Sequence, residues 1–524
     1  MKKDSLIIYI ALIALSLHSC YSDDSERASV EIGDISISGI AEKYTAIADN
    51  EEVLTITPTI KSVYAKQDLE YHWYIYDKSK ESSFMDDEGK YYEATLIGEE
   101  EILNYPVDLT VGEYTIMLRV NAKSNNITAY ERTSLHISTR YTEGFYILKE
   151  SDGNTELDFL APSDEKTENL FTRLHGAPVA GKPGNLSVVY NHAYIDEDTH
   201  KPTYNHTLCV VTDANKIRFL RATDLAIVHD EKSLFYAPDG IEEVPYTSVN
   251  TTFKSIYLSS KGAYITNCGG GSGKPEPIGK FGNPEEPTGA SPFVLKTGAY
   301  ETVYWNEKTH GIYRVDMNGG VGTVSPANNI EVDNLTDYKC ISAGYTYINY
   351  ATKLYFLFEE TSTGNKIFYR MKGDWSGIRP ENKITLNSNL HFTKATYRSY
   401  NGRWASLAYC VDNGKLYAYE LEAENGDQES EINPEGIPVG EEITYVENIY
   451  WAQNNQQYGT DFSYLVVGTQ KDNTYTLYMY NMLGGRPNGM PIRTVSGTGK
   501  LKRAVFLAFS YPPENAGLFM GYPY

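Results

Sequence analysis

From residue 144 onward one pattern keeps returning: an apolar strand, a polar turn, then an alternating strand that carries Tyr or Phe. GFYILKESDGNTELDFL is the first copy, starting at Gly144. HTLCVVTDANKIRFLRA starts at His206, AYETVYWNEKTHGIYRVDM at Ala299 and ATKLYFLFEETSTGNKIFYRM at Ala351. WASLAYCVDNGKLYAYEL starts at Trp404 and FSYLVVGTQKDNTYTLYMYNM at Phe462, and a weaker copy, SIYLSSKGAYITN, occupies 255–267. A lone hairpin of this kind cannot bury its own apolar faces, so copies must stack on one another. Their recurrence every ~40–65 residues is the spacing of β-propeller blades. Seven copies at about 54 residues each predict seven blades within 140–524. KRAVFLAFSYPP (502–513) reads as a late strand that closes the ring against the first blade and so removes an open sheet edge. Helical periodicity is scarce throughout. The 45 tyrosines suit pleated, half-buried surfaces. The expectation is an all-β chain.

Residues 28–139 carry strands of a different arrangement: VLTITPTI (53–60), LEYHWYIYD (69–77), EYTIMLRVNA (113–122) and AYERTSLHIS (129–138). Alternation puts Leu69, Tyr71, Trp73 and Ile75 on one face, and Tyr114, Ile116, Leu118 and Val120 on another. Two such faces packed together predict a small β-sandwich with Trp73 in its core. The G-E-Y-T-x-x-L-x-V portion of VGEYTIMLRV, with the aromatic strand before it, resembles a PKD domain, an immunoglobulin-like module. The glycine-aspartate turn usual after the Trp strand is replaced by Asp77-Lys78-Ser79.

The N-terminus has the layout of a bacterial secretory signal, with Lys2 and Lys3 ahead of an apolar run from Leu6 to Leu17. That run is too short for a comfortable membrane span. Leu17-His18-Ser19-Cys20 resembles a lipobox, which implies a signal peptide of 1–19 and lipidation of Cys20. Residues 20–27 cannot bury apolar area and read as an acidic tether. CYSDDSE also resembles the export signal of Bacteroidetes surface lipoproteins. The formal charge of −23, without Lys/Arg clusters, argues against nucleic acid as a partner. Taken together, CYSDDSE, the GEYTIMLRV hairpin and RYTEGFYILKESDGNTELDFL (140–160) resemble the PKD-like family lipoproteins of Bacteroidetes over nearly the whole chain. The resemblance implies the extracellular face of the outer membrane, a SusC/SusD-like (RagA/RagB-like) importer as partner, and a peptide or glycan as ligand. It carries no binding residues to this sequence.

Chemistry is harder to find. The ten histidines are scattered, with no H-E-x-x-H. Gly269-Gly270-Gly271-Ser272-Gly273 leads into KPEPIG without the strand-to-helix turn of a nucleophile elbow. The surrounding stretch 267–289 reads as a long loop. Adjacent acids such as Glu285-Glu286 and Glu359-Glu360 read as solvated turns. Asp196-Glu197-Asp198 lacks the glycine of a calcium loop. No catalytic residue, metal site or cofactor is therefore expected. Cys209, Cys268, Cys340 and Cys410 are widely spaced, and buried free thiols are preferred for Cys209 and Cys410. Aromatic rings are the more promising feature. Trp305, Trp375, Trp404 and Trp451 all fall in the second region, and a ring beside hydrogen-bonding groups suits sugar faces or peptide backbones. The expected function is nutrient binding for a SusCD-type importer. Two alternatives stay open: a propeller glycosidase, lyase or peptidase, and a structural or adhesive lipoprotein that docks another protein.

Overall fold

The computed structural model describes residues 35–48, 53–78, 94–110, 112–196, 200–237, 243–250, 254–267, 280–296, 302–315, 320–324, 334–348, 351–374, 377–451 and 462–508. Residues 1–27 with Cys20, the Gly269–Gly273 motif, Cys268 and Trp375 lie outside them. The described residues form two compact units. One lies within 1–44, 53–105 and 114–135, the other within 45–52, 106–113 and 136–524. Among the described residues no helix is long and apolar enough to cross a membrane.

Up to Ser138 the chain builds a five-stranded sheet in the order Lys43–Ile47, Ile127–Ser138, Gly112–Ala122, Leu69–Asp77, Thr95–Gly98. Two ribbons accompany it, Ile35–Ser38 with Thr59–Ser62 and Val53–Ile56 with Leu103–Pro106. The run 53–60, expected as one strand, breaks at Pro58, which has no N–H for a ladder. Trp73 stands opposite Leu118 and Ile75 opposite Ile116. Directly opposed residues point to the same side of a sheet. The two apolar faces expected to meet across a sandwich therefore lie side by side in one sheet. Trp73 is a core residue, as expected: it is fully buried and its Nε1 donates to Glu100 O at 2.9 Å.

From Gly144 on, seven sheets follow one another among the described residues. Blade 2 shows the scheme: Pro183–Ile195, Pro202–Thr212, Ile217–Arg221 and Ile227–Asp230 pair in chain order, each antiparallel to the last. Blades 3 to 7 begin with Pro245–Asn250, Ala290–Lys296, Tyr338–Ile348, Tyr397–Tyr400 and Glu442–Trp451. The weak copy at 255–267 is a real hairpin, Lys254–Ser259 with Gly262–Asn267. Beyond it, part of the loop expected at 267–289 packs back on this region, where Phe281 bridges Phe235 and Glu285 bridges Ala263. Turns suit their residues: Asp152-Gly153 and Asn413-Gly414 both take positive φ, as a two-residue hairpin turn requires.

The first strands of successive blades touch in sequence, and the series closes on itself through Lys500–Leu507. That strand completes blade 1 by pairing antiparallel with Gly144–Ser151, Phe145 opposite Phe506 and Ile147 opposite Ala504. The late strand predicted at 502–513 thus does close the ring. Inner strands run side by side in one direction: Asn185 Nδ2 donates to Tyr246 O and, two residues on, Ser187 Oγ to Ser248 O. Arg503 ties the closing strand to both neighbours, reaching Glu447 Oε1 at 3.1 Å and Asn185 Oδ1 at 2.6 Å.

Blade 1 also buries acids that its alternating pattern places inward. Asp158 and Lys149, both without exposure, form an ion pair of 2.8 Å. Asp158 also accepts the Asn169 N–H at 2.8 Å and, across the seam, the Tyr475 hydroxyl at 2.7 Å. Glu156 accepts the N–H groups of Phe171 and Thr172 at the start of the short helix Leu170–His175. Removing only the cation leaves Asp158 charged and buried. Lys149→Met is expected to lower unfolding free energy by about 3–5 kcal/mol in denaturant titrations. A loss under about 1 kcal/mol would show that the other donors alone hold the carboxylate.

In blade 2 the rings of His192 and His229 lie 5.7 Å apart, and among the described residues none of their nitrogens has a hydrogen-bond partner. Burial lowers the pKa of His192 to about 3 and that of His229 to about 4. Both stay neutral in the fold and take up protons on unfolding below their ordinary 6.5. Their stabilising contribution is full above pH 6.5 and shrinks as pH falls towards 4, by up to about 1.4 kcal/mol per group per pH unit. A His192→Phe, His229→Phe double variant should show a smaller loss of denaturation midpoint than the parent between neutral pH and pH 5. Equal slopes would contradict this.

Candidate functional site

Antiparallel pairing within blades, with inner strands in one direction, sets the last residues of the first strands of blades 2 to 7 at one end of the ring. At this end the turn of blade 6, Asn401 to Ser406, joins Tyr397–Tyr400 to Leu407–Asp412. It carries Trp404, which is 50% exposed.

A buried asparagine builds this turn. Asn401 is fully buried, and its Oδ1 accepts the N–H groups of Arg403 (3.3 Å), Trp404 (2.8 Å) and Ala405 (3.2 Å). Its Nδ2 donates to the Tyr409 hydroxyl at 2.9 Å, which in turn donates to Gly485 O in blade 7. Asn before Gly is a strong hairpin-turn signal, because its short amide can satisfy local backbone N–H groups. Both neighbouring blades grip the turn. Gly402 O accepts the Tyr347 N–H of blade 5 at 2.7 Å. On the blade 7 side, a Cβ on Gly402 would lie 3.0 Å from the Tyr450 ring. Gly485 has φ +77°, and a Cβ there would come within 2.7 Å of Ala405 Cβ and Leu407 Cδ1. The backbone under Trp404 is therefore fixed before any ligand arrives.

The Arg403 guanidinium lies 5.5 Å from the centre of the Trp404 ring, a cation–π contact. One face of the indole is thus backed by charge, and the residue stays half exposed. The other tryptophans are placed differently. Trp305 is fully buried and meets Phe358 edge-on at 4.8 Å, between blades 4 and 5. Trp451 is 6% exposed and packs 5.9 Å from Tyr190. Neither ring is open to a ligand, because packing against residues of other blades covers both. Trp375 lies outside the described residues.

Cys209, Cys340 and Cys410 are buried free thiols. Burial pushes Cys209 and Cys410 up to about 12, so neither is a thiolate nucleophile near neutral pH. At the other end of the ring, an open cleft of about 560 Å³ is lined by Tyr246, Lys261, Thr288, Glu307 and Lys308. Lys308 Nζ is already held by Thr288 Oγ1 at 2.8 Å, and Glu307 offsets the charge of the lysines.

Asn401→Ala would strip three N–H groups of their acceptor. It is expected to cost about 1–3 kcal/mol of stability and to speed hydrogen exchange at residues 403–405. Unchanged exchange there would mean that the side chain does not hold the turn.

No curated protein matches this chain. Solved structures similar to it include a quinonprotein alcohol dehydrogenase-like protein from Bacteroides thetaiotaomicron, at 12% identity over 88% of this chain and 96% of that one, TM-score 0.37. Another is a DUF4784 family protein from Bacteroides caccae, at 9% identity over 76% and 95%, TM-score 0.30. A third is the WD40 domain of SCAP from fission yeast, at 10% identity over 61% and 74%, TM-score 0.33. Residues 20–183 match the PKD-like family, and that part of the chain is similar to it.

Proposed function

We propose that this chain is a lipoprotein of the outer membrane's extracellular face, anchored through Cys20, that captures or presents an oligopeptide or a glycan for a SusCD-type importer. It acts by binding rather than by turnover. The observation that carries the reading is Trp404, a half-exposed ring on a turn locked by a buried asparagine. A preorganised ring loses little conformational entropy when a flat ligand stacks on it. The apolar run before Cys20 and the acidic residues after it support the anchor and the tether.

Two measurements test this. Cells fed labelled palmitate should label the parent protein but not Cys20→Ala, and added protease should reach the folded part on intact cells. The purified mature chain should deplete particular peptides or sugars from a mixture without releasing products. Trp404→Ala should weaken that binding by about tenfold or more. Failure to bind, or binding indifferent to Trp404, removes the reading; product release would favour the enzyme alternative.

A further inference from the structure

We infer that the open cleft at the other end of the ring from Trp404 is a second binding site, and that it takes a short peptide whose amino and carboxyl ends are both free. This goes beyond the reading of Trp404 and does not depend on it.

The cleft, of about 560 Å³, falls in the size range of small-ligand sites. Lys261 lies in the turn between Lys254–Ser259 and Gly262–Asn267 of blade 3. Glu307 and Lys308 lie in the turn between Thr302–Asn306 and Gly311–Val315 of blade 4. Residues 287–289 run between these turns and fasten them together. Gly289 N–H donates to Lys261 O at 2.5 Å, and Glu307 N–H donates to Gly289 O at 2.9 Å. Asn306 is fully buried; it donates to Pro287 O and Thr288 O and accepts the N–H groups of Lys308 and Thr309, all at 3.0–3.1 Å. Gly289 has φ +96°, and a Cβ there would lie 2.6 Å from Lys308 Cβ. Only glycine allows so close an approach in that conformation. The backbone that carries the charged side chains is therefore set before a ligand arrives.

Charges of both signs stand on this frame. Lys261 and Glu307 are partly exposed and line the same cleft. They do not reach each other: among the described residues neither side chain makes an ion pair or a hydrogen bond. Lys308, held by Thr288 Oγ1 at 2.8 Å, is a second cation on the rim. Tyr246 stands beside Glu307, since burial and then the Glu307 charge raise its hydroxyl above the ordinary value. Pro284 and Ala290 add apolar surface.

This arrangement selects among ligand classes. A neutral sugar would leave both free charges without an ionic partner. An anion alone would meet Glu307, and a cation alone would meet two lysines. A zwitterion gives its ammonium to Glu307 and its carboxylate to Lys261, and such charge-assisted hydrogen bonds are the stronger kind. A single amino acid carries both charges on one carbon and would leave most of the cleft empty. A peptide of about two or three residues separates them by roughly 3.3–3.6 Å per residue and lays its side chains against Tyr246, Pro284 and Ala290.

The experiment removes one ligand charge at a time. Calorimetry on the purified mature chain compares trialanine with its N-acetyl form, its amide and the form capped at both ends. The free peptide should bind most tightly, and each cap should weaken binding by about fivefold or more. Glu307→Gln should remove the effect of the acetyl cap and leave that of the amide. Lys261→Gln should reduce the effect of the amide and leave that of the acetyl cap. Unchanged denaturation midpoints verify that the variants fold. If trialanine does not bind, if the caps make no difference, or if either variant keeps the parent's response to its own cap, the inference falls. None of these results bears on Trp404, which the mixture screen above judges separately.

Discussion

Pairing of Lys500–Leu507 with Gly144–Ser151 brings together the two ends of the second unit. Without it, blade 1 would lack its inner strand and blades 7 and 2 would lose the neighbour between them. The entropic cost of closing so long a segment grows only slowly with its length. The gain is large and local: a full ladder, the Phe145–Phe506 ring contact at 4.9 Å, and the Arg503 bridge to two other blades. Lys500–Leu507 also covers the edge that Gly144–Ser151 would otherwise leave open to another strand.

Closure also explains where the buried charge sits. Lys149 and Asp158 lie in blade 1, and Tyr475 reaches Asp158 from blade 7. An ion pair deprived of water is worthwhile only when the remaining lone pairs are filled. Here a backbone N–H and a hydroxyl from the adjacent blade fill them. The pairing therefore favours the correct seam over other apolar contacts. Within blade 2 the surroundings of His192 and His229 are built by the opposite means, with aromatic packing and neutral rings.

Rigidity passes from the ring to the candidate site. The Trp404 turn has no regular structure of its own, yet hydrogen bonds and close backbone approach from blades 5, 6 and 7 hold it. A loop fixed in this way can offer an exposed ring without collapsing onto it.

Much of the architecture was legible in the residues. Strand periodicity, polar turns and apolar hairpins are local properties, so GFYILKESDGNTELDFL and its later copies declared themselves, and KRAVFL announced the closing strand. Trp73 was readable as core because alternation sets its face. Other features depend on which strands become neighbours, and no local pattern encodes that. Trp305, Trp404 and Trp451 all lie in the second region, but packing against other blades buries Trp305 and Trp451 and leaves Trp404 open. The strands holding Trp73 and Leu118 proved to be partners in one sheet, since alternation defines a face but not what covers it. Asn401 carried a readable turn signal, whereas its links to Tyr409 and, through that hydroxyl, to blade 7 exist only once the ring is closed. Covalent order thus determined the strands, their turns and the end that seals the ring. Tertiary contact decided which aromatic ring meets solvent, because burial depends on distances between residues far apart in the chain.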